Sequence, residues 1–549
     1  MLAKVRTDER LVHCRILRCF SITQTAMSFL KVMHSRAALS LAASALVLPL
    51  SLGAQTTTIN QADIETYYSS SMGGYVIDDG NEYLINSPLS FGTTSSGDNL
   101  IVGYDTTGSK LTIYDNEVSN YEASIGYGFD SSGTVEVTAA GGNWVSHGTI
   151  YVGRGYGSTG ELIVSGYANV TGNAGIVLGY AGESTGNLSM SGRSTTLGTT
   201  FITVGYDGTG NMTLGDGATI TTSAASTIGS GFTVRGTGTV TLTDTWTKWE
   251  SSSSINVGSY GTGTLTIENG ATVTNTTSTV GNGNISRNGT GTVNVRGSGS
   301  SWTNSGSLIV GGYYGTGTVN IESGATVSSV GGKIGEQSNS QGTVTVSGAG
   351  SRWTNTSYLY VGDGGSGSLN ILDGGKVTSL SANLGRTSAS TATVLVSGNG
   401  SVWDISNTLT IGSAGTGTLT IENNGLVVAG ALSLQTYGSI YLKAGFLLLT
   451  GEGSDDKNTL DALLDAGTSI YAWNGSAYEL VTSSESALVS CVYYEHVEEN
   501  DLVRANGYND YGTLLTSAYA VPEPATYALF GGLGALGLAM YRRRKNASR

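Results

Sequence analysis

Five tryptophans recur at equivalent positions of the chain, and their type and spacing make them candidates for ligand binding. Each lies eight residues before a marker pair, which we define as Val, Ile or Leu followed by Gly: Trp144, Trp249, Trp302, Trp353 and Trp403. Flat aromatic rings pack against the faces of sugar rings, so such a column is a candidate glycan-stacking strip. We favour the structural interpretation that repeated aromatic rings stack and stabilise the coils of a repeat fold.

Tyrosines form a second aromatic series, because many of them follow a marker pair closely. Sugar binding and aromatic stacking are again the two interpretations of this series. Its members are Tyr104, Tyr127, Tyr156, Tyr180, Tyr206, Tyr260 and Tyr314.

Acidic residues and histidines do not form a catalytic pattern. Most carboxylates stand at equivalent turn positions of the repeat, as Glu268, Glu322 and Glu422 do, where they form and solvate turns. His147 and His496 have no Cys, Asp or Glu at ligand spacing, so no zinc site is predicted. We therefore expect no enzyme activity, and a polysaccharide lyase or hydrolase with clustered carboxylates is the alternative.

Calcium binding in a glycine-rich turn is a further candidate for chemistry. The segment Val361–Gly365, with Asp363 at its centre, resembles turns that bind calcium. The nonapeptide that such sites require does not recur along the chain. We expect no cofactor and at most weak calcium binding.

The marker pairs define a repeat that must position all of these side chains. Thirteen pairs recur at an average spacing close to 26 residues, and the later spacings alternate between short and long, so the full unit has about fifty residues. The apolar members of the pairs are Val102, Ile125, Val152, Leu178, Val204, Ile228, Val257, Val280, Val310, Ile334, Val361, Leu384 and Ile411.

Strict alternation of polar and β-branched residues within each unit predicts strands with one buried face. Thr264–Ile267 and Thr292–Val295 are examples, and Gly- or Asn-containing turns follow them. No proline occurs between Pro88 and Pro522, which suits strands paired on both sides. We predict an all-β fold, a right-handed parallel β-helix of about thirteen coils and about 60 Å in length. A β-propeller is the competing architecture.

The charge of the body restricts its partners. Residues 55–520 contain 14 Lys and Arg against 37 Asp and Glu, a net charge of −23. Such a body repels nucleic acid and anionic lipid, so no nucleic-acid partner is expected. Cys14 and Cys19 precede the predicted export signal, and Cys491 is then the single thiol of the mature chain, without an intramolecular disulfide.

The N-terminal region has the layout of a secretory signal peptide. Residues 33–54 begin with basic residues, continue with an apolar run and end in small residues. We predict cleavage between Ala54 and Gln55 after export by the general secretion machinery. Met27 and Met33 both stand where such a signal starts, so the translation of residues 1–32 is open.

The C-terminus combines three features in a fixed order. Val521, Pro522, Glu523 and Pro524 precede an apolar run from Ala525 to Tyr541, and a basic cluster of Arg542, Arg543, Arg544 and Lys545 follows. At about 1.5 Å per residue the run forms a helix of about 25 Å, enough to span most of a bilayer. The basic cluster should stay in the cytoplasm and stop transfer there.

This tail resembles the PEP-CTERM sorting signal, whose pattern is a Pro-Glu-Pro motif, one hydrophobic helix and an arginine-rich end. The resemblance covers about thirty residues. It implies cleavage near Pro522–Pro524 by an exosortase-like membrane enzyme, in bacteria that commonly make exopolysaccharide, which is then a candidate partner. A plain membrane anchor would need no Pro-Glu-Pro motif.

The repeats are similar to the Gly- and Thr-rich passenger repeats of autotransporters. An autotransporter would end in a long outer-membrane barrel domain, whereas this chain ends in a single predicted helix, which puts self-transport in doubt.

Five regions follow from these observations. We predict an upstream segment with the signal peptide (1–54), an N-terminal cap (55–95), the solenoid (96–430), a C-terminal cap (431–520) and the sorting signal with its transmembrane helix (521–549). The expected function is a structural or adhesive repeat protein that is anchored in the inner membrane before processing. Its final place would be the cell surface, outer envelope or extracellular matrix, and a glycan-binding surface module is a further alternative.

Overall fold

A computed structural model describes residues 56–59, 68–69, 74–85, 87–92, 98–450, 469–482, 489–494 and 512–517. The chain divides into two units at Gln55, and all of the described residues belong to the second unit. Within them the regular elements are β-strands, and most strands pair in parallel with the equivalent strand one coil away. The structure confirms a parallel β-solenoid, and its right-handed sense stays a prediction.

Each complete coil contributes one strand to each of three faces. The long-strand face contains seventeen parallel strands and is closed by the antiparallel strand Tyr478–Leu480. Its parallel strands are Thr56–Ile59, Glu82–Ile85, Ser109–Tyr114, Ser132–Thr138, Thr159–Val164, Thr185–Ser191, Thr209–Gly215, Thr237–Leu242, Thr262–Glu268, Thr290–Arg296, Thr316–Glu322, Gln341–Ser347, Ser366–Leu372, Thr391–Ser397, Thr416–Glu422, Gly438–Lys443 and Ser469–Trp473.

The second face, called the tryptophan face, carries the five predicted tryptophans. Its strands are Leu89–Ser90, Glu117–Asn120, Asn143–Ser146, Asn169–Gly172, Thr196–Thr199, Thr219–Thr222, Lys248–Ser251, Thr272–Asn275, Ser301–Asn304, Thr326–Ser329, Arg352–Asn355, Lys376–Ser379, Phe446–Leu449 and the first halves of Val402–Ile411 and Leu426–Leu434.

The third face, called the marker face, contains the apolar members of the marker pairs. Its strands are Gly74–Ile77, Asn99–Val102, Ala123–Ile125, Thr149–Val152, Gly175–Leu178, Ile202–Val204, Ser226–Ile228, Ile255–Ser259, Ser278–Asn282, Leu308–Val310, Gly332–Ile334, Tyr358–Val361, Ser381–Leu384 and the second halves of Val402–Ile411 and Leu426–Leu434.

The stack has about fifteen coils, two more than the thirteen predicted. The additional coils lie at the two ends, where Ile77 and Leu434 take the place of the marker residue. Asp78 and Gln435 follow them instead of glycine, so a search for marker pairs does not find these coils. Elsewhere glycine is required: Gly258 has a φ of 71°, and a Cβ at this position would collide with the carbonyl oxygen of Thr290 in the next coil.

Antiparallel strands lie at both ends of the stack. Tyr68–Ser69 pairs with the first strand of the marker face, and Gly512–Ser517 lies between Phe446–Leu449 and Val489–Tyr494. They satisfy edge groups that a terminal parallel strand would otherwise expose. Among the described residues no helix is long and apolar enough to cross a membrane. The predicted membrane helix lies outside those residues.

The alternating strands build one hydrophobic core along the stack. In Thr262–Glu268 every second residue is buried, and Leu265 and Ile267 have no exposed surface. Their partners in the next coil, Val293 and Val295, are equally buried. Burial of a side chain of this size contributes about 2 kcal/mol relative to an exposed one, so repetition over many coils produces a large hydrophobic term.

All five tryptophans lie inside this core with 0% exposed surface, which corrects the glycan-stacking hypothesis for them. A sugar cannot reach these rings while the coil is closed. Nor do the indoles stack on one another, because each alternates with an aliphatic residue in the coils on either side. Trp302, for example, lies between Val273 and Val327. The alternation of a large and a small inward side chain explains the repeat unit of about fifty residues.

Most of the buried indole N–H groups donate to a polar side chain at the end of the preceding tryptophan-face strand. Trp302 Nε1 lies 2.8 Å from Asn275 Oδ1, and Trp144 Nε1 lies 2.7 Å from Asn120 Oδ1. Thr222 and Ser329 accept in the same way from Trp249 and Trp353. These bonds offset the cost of burying an indole N–H.

Trp403 is the exception, since its Nε1 and the Oγ of Ser379 at the acceptor position have no hydrogen-bond partner among the described residues. The longer side chain of Asn reaches the indole at Trp302, so we expect Ser379→Asn to accept from Trp403 Nε1 and to raise the free energy of unfolding by about 1 kcal/mol. Thermal unfolding followed by tryptophan fluorescence and circular dichroism measures this change. The reverse substitution, Asn275→Ser, should lower the free energy of unfolding. A lower melting temperature for Ser379→Asn would contradict the assignment of residue 379 as the acceptor position for the Trp403 indole.

Candidate functional surfaces

The predicted processing residues lie outside the described part of the chain. They are Ala54 and Gln55 at the signal cleavage site, Val521, Pro522, Glu523 and Pro524 in the sorting motif, and Arg542, Arg543, Arg544 and Lys545 in the basic cluster. His496 also lies outside it, and His147 is exposed with its Nδ1 3.4 Å from Asn173 Nδ2. Candidate sites within the described residues are therefore sought on the three faces and their corners.

A tyrosine surface lies where the marker face turns towards the long-strand face, and we define it by Tyr104, Tyr127, Tyr151, Tyr180 and Tyr206. Four of these rings stack in pairs: the ring centroids of Tyr104 and Tyr127 are 5.4 Å apart, and those of Tyr180 and Tyr206 are 5.3 Å apart. Tyr180 is 40% exposed, so its ring meets solvent as well as its neighbour. Aromatic stacking therefore describes the tyrosines, although it does not describe the tryptophans.

Arg154 joins the first tyrosine pair to Tyr151, whose ring in turn meets that of Tyr180 edge-on at a centroid distance of 5.2 Å. Its Cζ lies 4.3 Å from the ring centroid of Tyr151 and 5.0 Å from that of Tyr127, which are cation–π distances. Its Nη1 donates to Glu122 Oε1 at 2.5 Å and to Ser124 Oγ at 2.7 Å. Burial raises the pKa of the Tyr151 phenol above its ordinary value, and the Glu122 carboxylate adds to this shift. Tyr151 thus stays a neutral donor through the physiological range.

A second cluster occupies the equivalent corner near the other end of the stack. Arg386 forms an ion pair with Asp363, and its Cζ lies 5.1 Å from the ring centroid of Tyr360. Lys333 Nζ lies 3.6 Å from Asp363 Oδ2 and 2.8 Å from Glu336 Oε1. Asp363 is only 2% exposed and faces two cations, so a calcium ion at this turn would have to displace them. Weak calcium binding stays a prediction.

The sequence did not lead to a prediction of either cluster, because only the tyrosines near the marker pairs were considered. Other residue types at the position directly after the Gly of a marker pair were left out. Arg154, Glu336, Asp363 and Arg386 each follow the Gly of a marker pair directly, as Tyr180 does. Because parallel coils place equivalent residues one above another, this position forms a single column at the corner. An alignment of all residues that follow a marker pair would have found it.

Asp78 and Asp207 hold the corner of the next coil through hydrogen bonds. Asp207 accepts backbone N–H bonds from Phe232 at 2.6 Å and Thr233 at 3.1 Å, together with the hydroxyl of Thr233, and it is 8% exposed. Asp78 accepts the backbone N–H groups of Tyr104 and Thr106 in the same manner. Burial alone would raise the pKa of Asp207, but these hydrogen bonds outweigh it and lower the pKa below 3.8.

A carboxyl group with a lowered folded-state pKa stabilises the fold above its unfolded pKa, and the stabilisation disappears as the pH falls through the folded-state value. We therefore expect Asp207→Asn to cost about 2 kcal/mol at neutral pH, and this difference from the wild type to shrink below about pH 3.8. Melting temperatures measured from neutral to acidic pH test this. Asp216→Asn is the matched control, because Asp216 is exposed, and a pH-independent loss for Asp207→Asn would refute the explanation.

The long-strand face carries the most regular surface, which we call the threonine face. It consists of the first, third and fifth residues of the ten consecutive long strands from Thr185–Ser191 to Thr416–Glu422. The strands pair in register, so these residues form three outward columns. Of the 30 residues, 20 are Thr, nine are Ser, Asn or Gln, one is Leu395, and none is charged.

Strand geometry sets the dimensions of the threonine face. Ten strands at about 4.8 Å and residue pairs at about 6.7 Å give a surface of roughly 43 by 13 Å. Amide side chains within it bond along the column, as Asn320 Nδ2 does to Asn294 Oδ1 at 2.9 Å. The alternation of outward Thr with inward Val or Leu predicts which residues face outward. It does not predict that the three columns of the threonine face are free of charge.

Comparison with known families identifies the C-terminal tail. The PEP-CTERM protein-sorting motif matches residues 520–545, which include the Pro-Glu-Pro motif, the apolar run and the basic cluster. The resemblance inferred from these residues is confirmed. Comparison with curated proteins and with solved structures gives no significant match.

Fold and tail together define the class to which the chain is assigned: a β-solenoid repeat protein that is exported and sorted to the cell envelope. More particularly, it carries a PEP-CTERM tail, which implies processing by an exosortase-type enzyme.

Proposed function

We propose that this chain is a structural and adhesive component of the cell surface or extracellular matrix. Export through the general secretion machinery would be followed by retention in the inner membrane through residues 525–541. An exosortase-like enzyme would then cut near Pro522–Pro524 and release the body to its final place.

The proposal rests on one observation, which is that the same chain contains a sorting motif and an uninterrupted stack of coils. Seventeen parallel strands of the long-strand face connect Thr56 with Trp473 through one ladder. A stack of this kind is quasi-one-dimensional, so it provides reach and a large surface. These are the properties that a matrix or adhesive element needs, whereas a small-molecule enzyme needs an enclosed site.

We propose that the protein is not an enzyme, and the environments of its hydrogen-bonded and ion-paired carboxylates support this. Asp78 and Asp207 accept several backbone N–H groups each, and Asp363 faces Arg386 and Lys333. Glu82 and Glu136 both bind Lys110, at 3.0 and 2.9 Å. General acid–base chemistry needs carboxyl groups that can reach a substrate, and these groups are engaged in holding coils together.

Terminal peptides and intact mass of the protein recovered from its native envelope or medium test the proposal. We expect a chain that starts near Gln55, ends near Pro522–Pro524 and is digested by protease added to whole cells. Pro522→Ala combined with Pro524→Ala should leave a chain that retains Arg542–Lys545 and stays in the membrane fraction. Pro88→Ala is the control, because Pro88 is exposed and far from the motif.

A wild-type chain that keeps Arg542–Lys545 would reduce the tail to an ordinary membrane anchor and would refute sorting. Cells that express the processing-deficient variant should also lose adhesion to the matrix. Unchanged adhesion in these cells would argue against the adhesive role.

A further inference from the structure

We propose that the threonine face binds an extended, uncharged polysaccharide along the length of the stack. The inference deepens the proposed surface role and rests on it, since only an exported body meets such a polymer. It assigns the ligand to a surface distinct from the buried tryptophans and from the tyrosine surface.

Charge is the first argument. The body has a net charge of −23, yet none of the 30 outward residues of the threonine face is charged. The fold itself tolerates charge on this face, because Glu82, Lys110 and Glu136 occupy the same outward positions in its first coils. In the next ten strands the charged outward residues all stand at the seventh position, at the edge of this face: Glu268, Arg296, Glu322 and Glu422. Neutrality of the three columns over these ten strands is therefore a property of this surface, and it favours a partner without charge.

Chemical complementarity is the second argument. Threonine offers a hydroxyl that donates and accepts hydrogen bonds, and a methyl group that packs on C–H surfaces. Asn and Gln add amide donors and acceptors in the same columns, and Asn211 Nδ2, for example, donates to Asn187 Oδ1 at 3.0 Å. A neutral sugar polymer presents the matching set of hydroxyls and C–H faces. Each hydrogen bond contributes only about 1 kcal/mol in water, so many must act together.

Shape is the third argument. The face is the outer surface of a sheet and about 43 Å long, so it can contact many units of an extended polymer but does not enclose a small ligand. Repetition of one weak contact along a connected chain raises the overall affinity through effective concentration. A polymer that runs along the columns meets the same group at every coil, whereas a compact ligand would meet only a few.

A second copy of the chain fits this face less well. Stable interfaces between copies have an apolar core, and the threonine face contains one large apolar residue, Leu395. Two bodies with a net charge of −23 each also repel one another. Self-association through this face is therefore an alternative outcome of the test.

The test uses the full chain, purified in detergent, with xyloglucan, dextran and hydroxyethylcellulose as neutral probes and alginate as an anionic one. Affinity electrophoresis and biolayer interferometry measure binding. The face variant combines Thr264→Glu, Thr318→Glu and Thr418→Glu, all in the central column. Its matched control combines Thr274→Glu, Thr303→Glu and Thr354→Glu, which are outward threonines of the tryptophan face. Melting temperatures verify that both variants fold.

We expect the wild type and the control to bind at least one neutral polymer and not alginate, and the face variant to bind at least about tenfold more weakly. The proposal would be overturned if the control lost as much binding affinity as the face variant, or if the face variant bound as well as the wild type. It would also be overturned if the wild type bound none of the neutral probes. Loss of binding with Tyr180→Ala and Tyr206→Ala alone would overturn it as well, because this would place the site on the tyrosine surface. A dimer that the face variant dissociates would also overturn it.

The proposed surface role and the proposed ligand can be refuted separately, because different measurements test them. Terminal processing and exposure to added protease depend on the C-terminal tail and should be unchanged in the face variant. Normal processing without polymer binding would refute the ligand alone. Absence of processing would refute the surface role, whatever the purified chain binds.

Discussion

The structure depends on one constraint, which is that each coil satisfies the backbone hydrogen bonds and covers the apolar side chains of the next. The partner of a residue in this stack is the equivalent residue one coil on, as Leu265 pairs with Val293. A side chain must therefore pack well against the equivalent side chains of the coils on either side, as well as within its own coil. Cys491 is the single cysteine after residue 54, so no intramolecular disulfide of the exported body assists this arrangement. Stability must come from the ladders and from the core that they enclose.

Column packing explains why the inward tryptophans alternate with smaller residues. Adjacent coils are about 4.8 Å apart, which leaves little volume for two indoles in direct succession. A Val above and below Trp302 gives room for the indole, and Asn275 supplies the acceptor for its N–H. Large and small coils thus form a pair, which is the physical origin of the longer repeat. At Trp403 this bond is not made: its indole N–H and the Oγ of Ser379 at the acceptor position are both buried without a partner among the described residues.

Local periodicity allowed most of the fold to be predicted, because alternation within a strand reports directly which side chains are buried. The parallel solenoid, the outward Thr264 and the inward Leu265 follow from this rule. Two properties did not follow from it. The burial of the tryptophans depends on the interior width of the coil, and no single strand encodes that width. The terminal coils lack the glycine that marks the others, since Asp78 and Gln435 replace it.

The candidate surfaces were harder to predict than the core for a related reason. A column joins residues about 26 positions apart, so its chemistry is apparent only after the coils are placed in register. Arg154 contacts Tyr127 and Tyr151 because one coil lies directly above the other. The same register turns isolated threonines into a continuous face. Charge patterning along the chain would not reveal this face, because charged residues at the ends of several of its strands interrupt the neutral stretches of sequence, as Glu268, Glu322 and Glu422 do.

The position of the sorting motif is consistent with a body that stays intact after processing. The last strand of the stack ends at Ser517, and its residues pair with Phe446–Leu449 and close the edge of the tryptophan face. The sorting match begins at residue 520, so a cut near Pro522–Pro524 removes no residue of this strand. Since an open edge would expose unpaired backbone groups and invite aggregation, retention of this strand matters for an exported body. The described fold therefore ends before the residues that the sorting match covers.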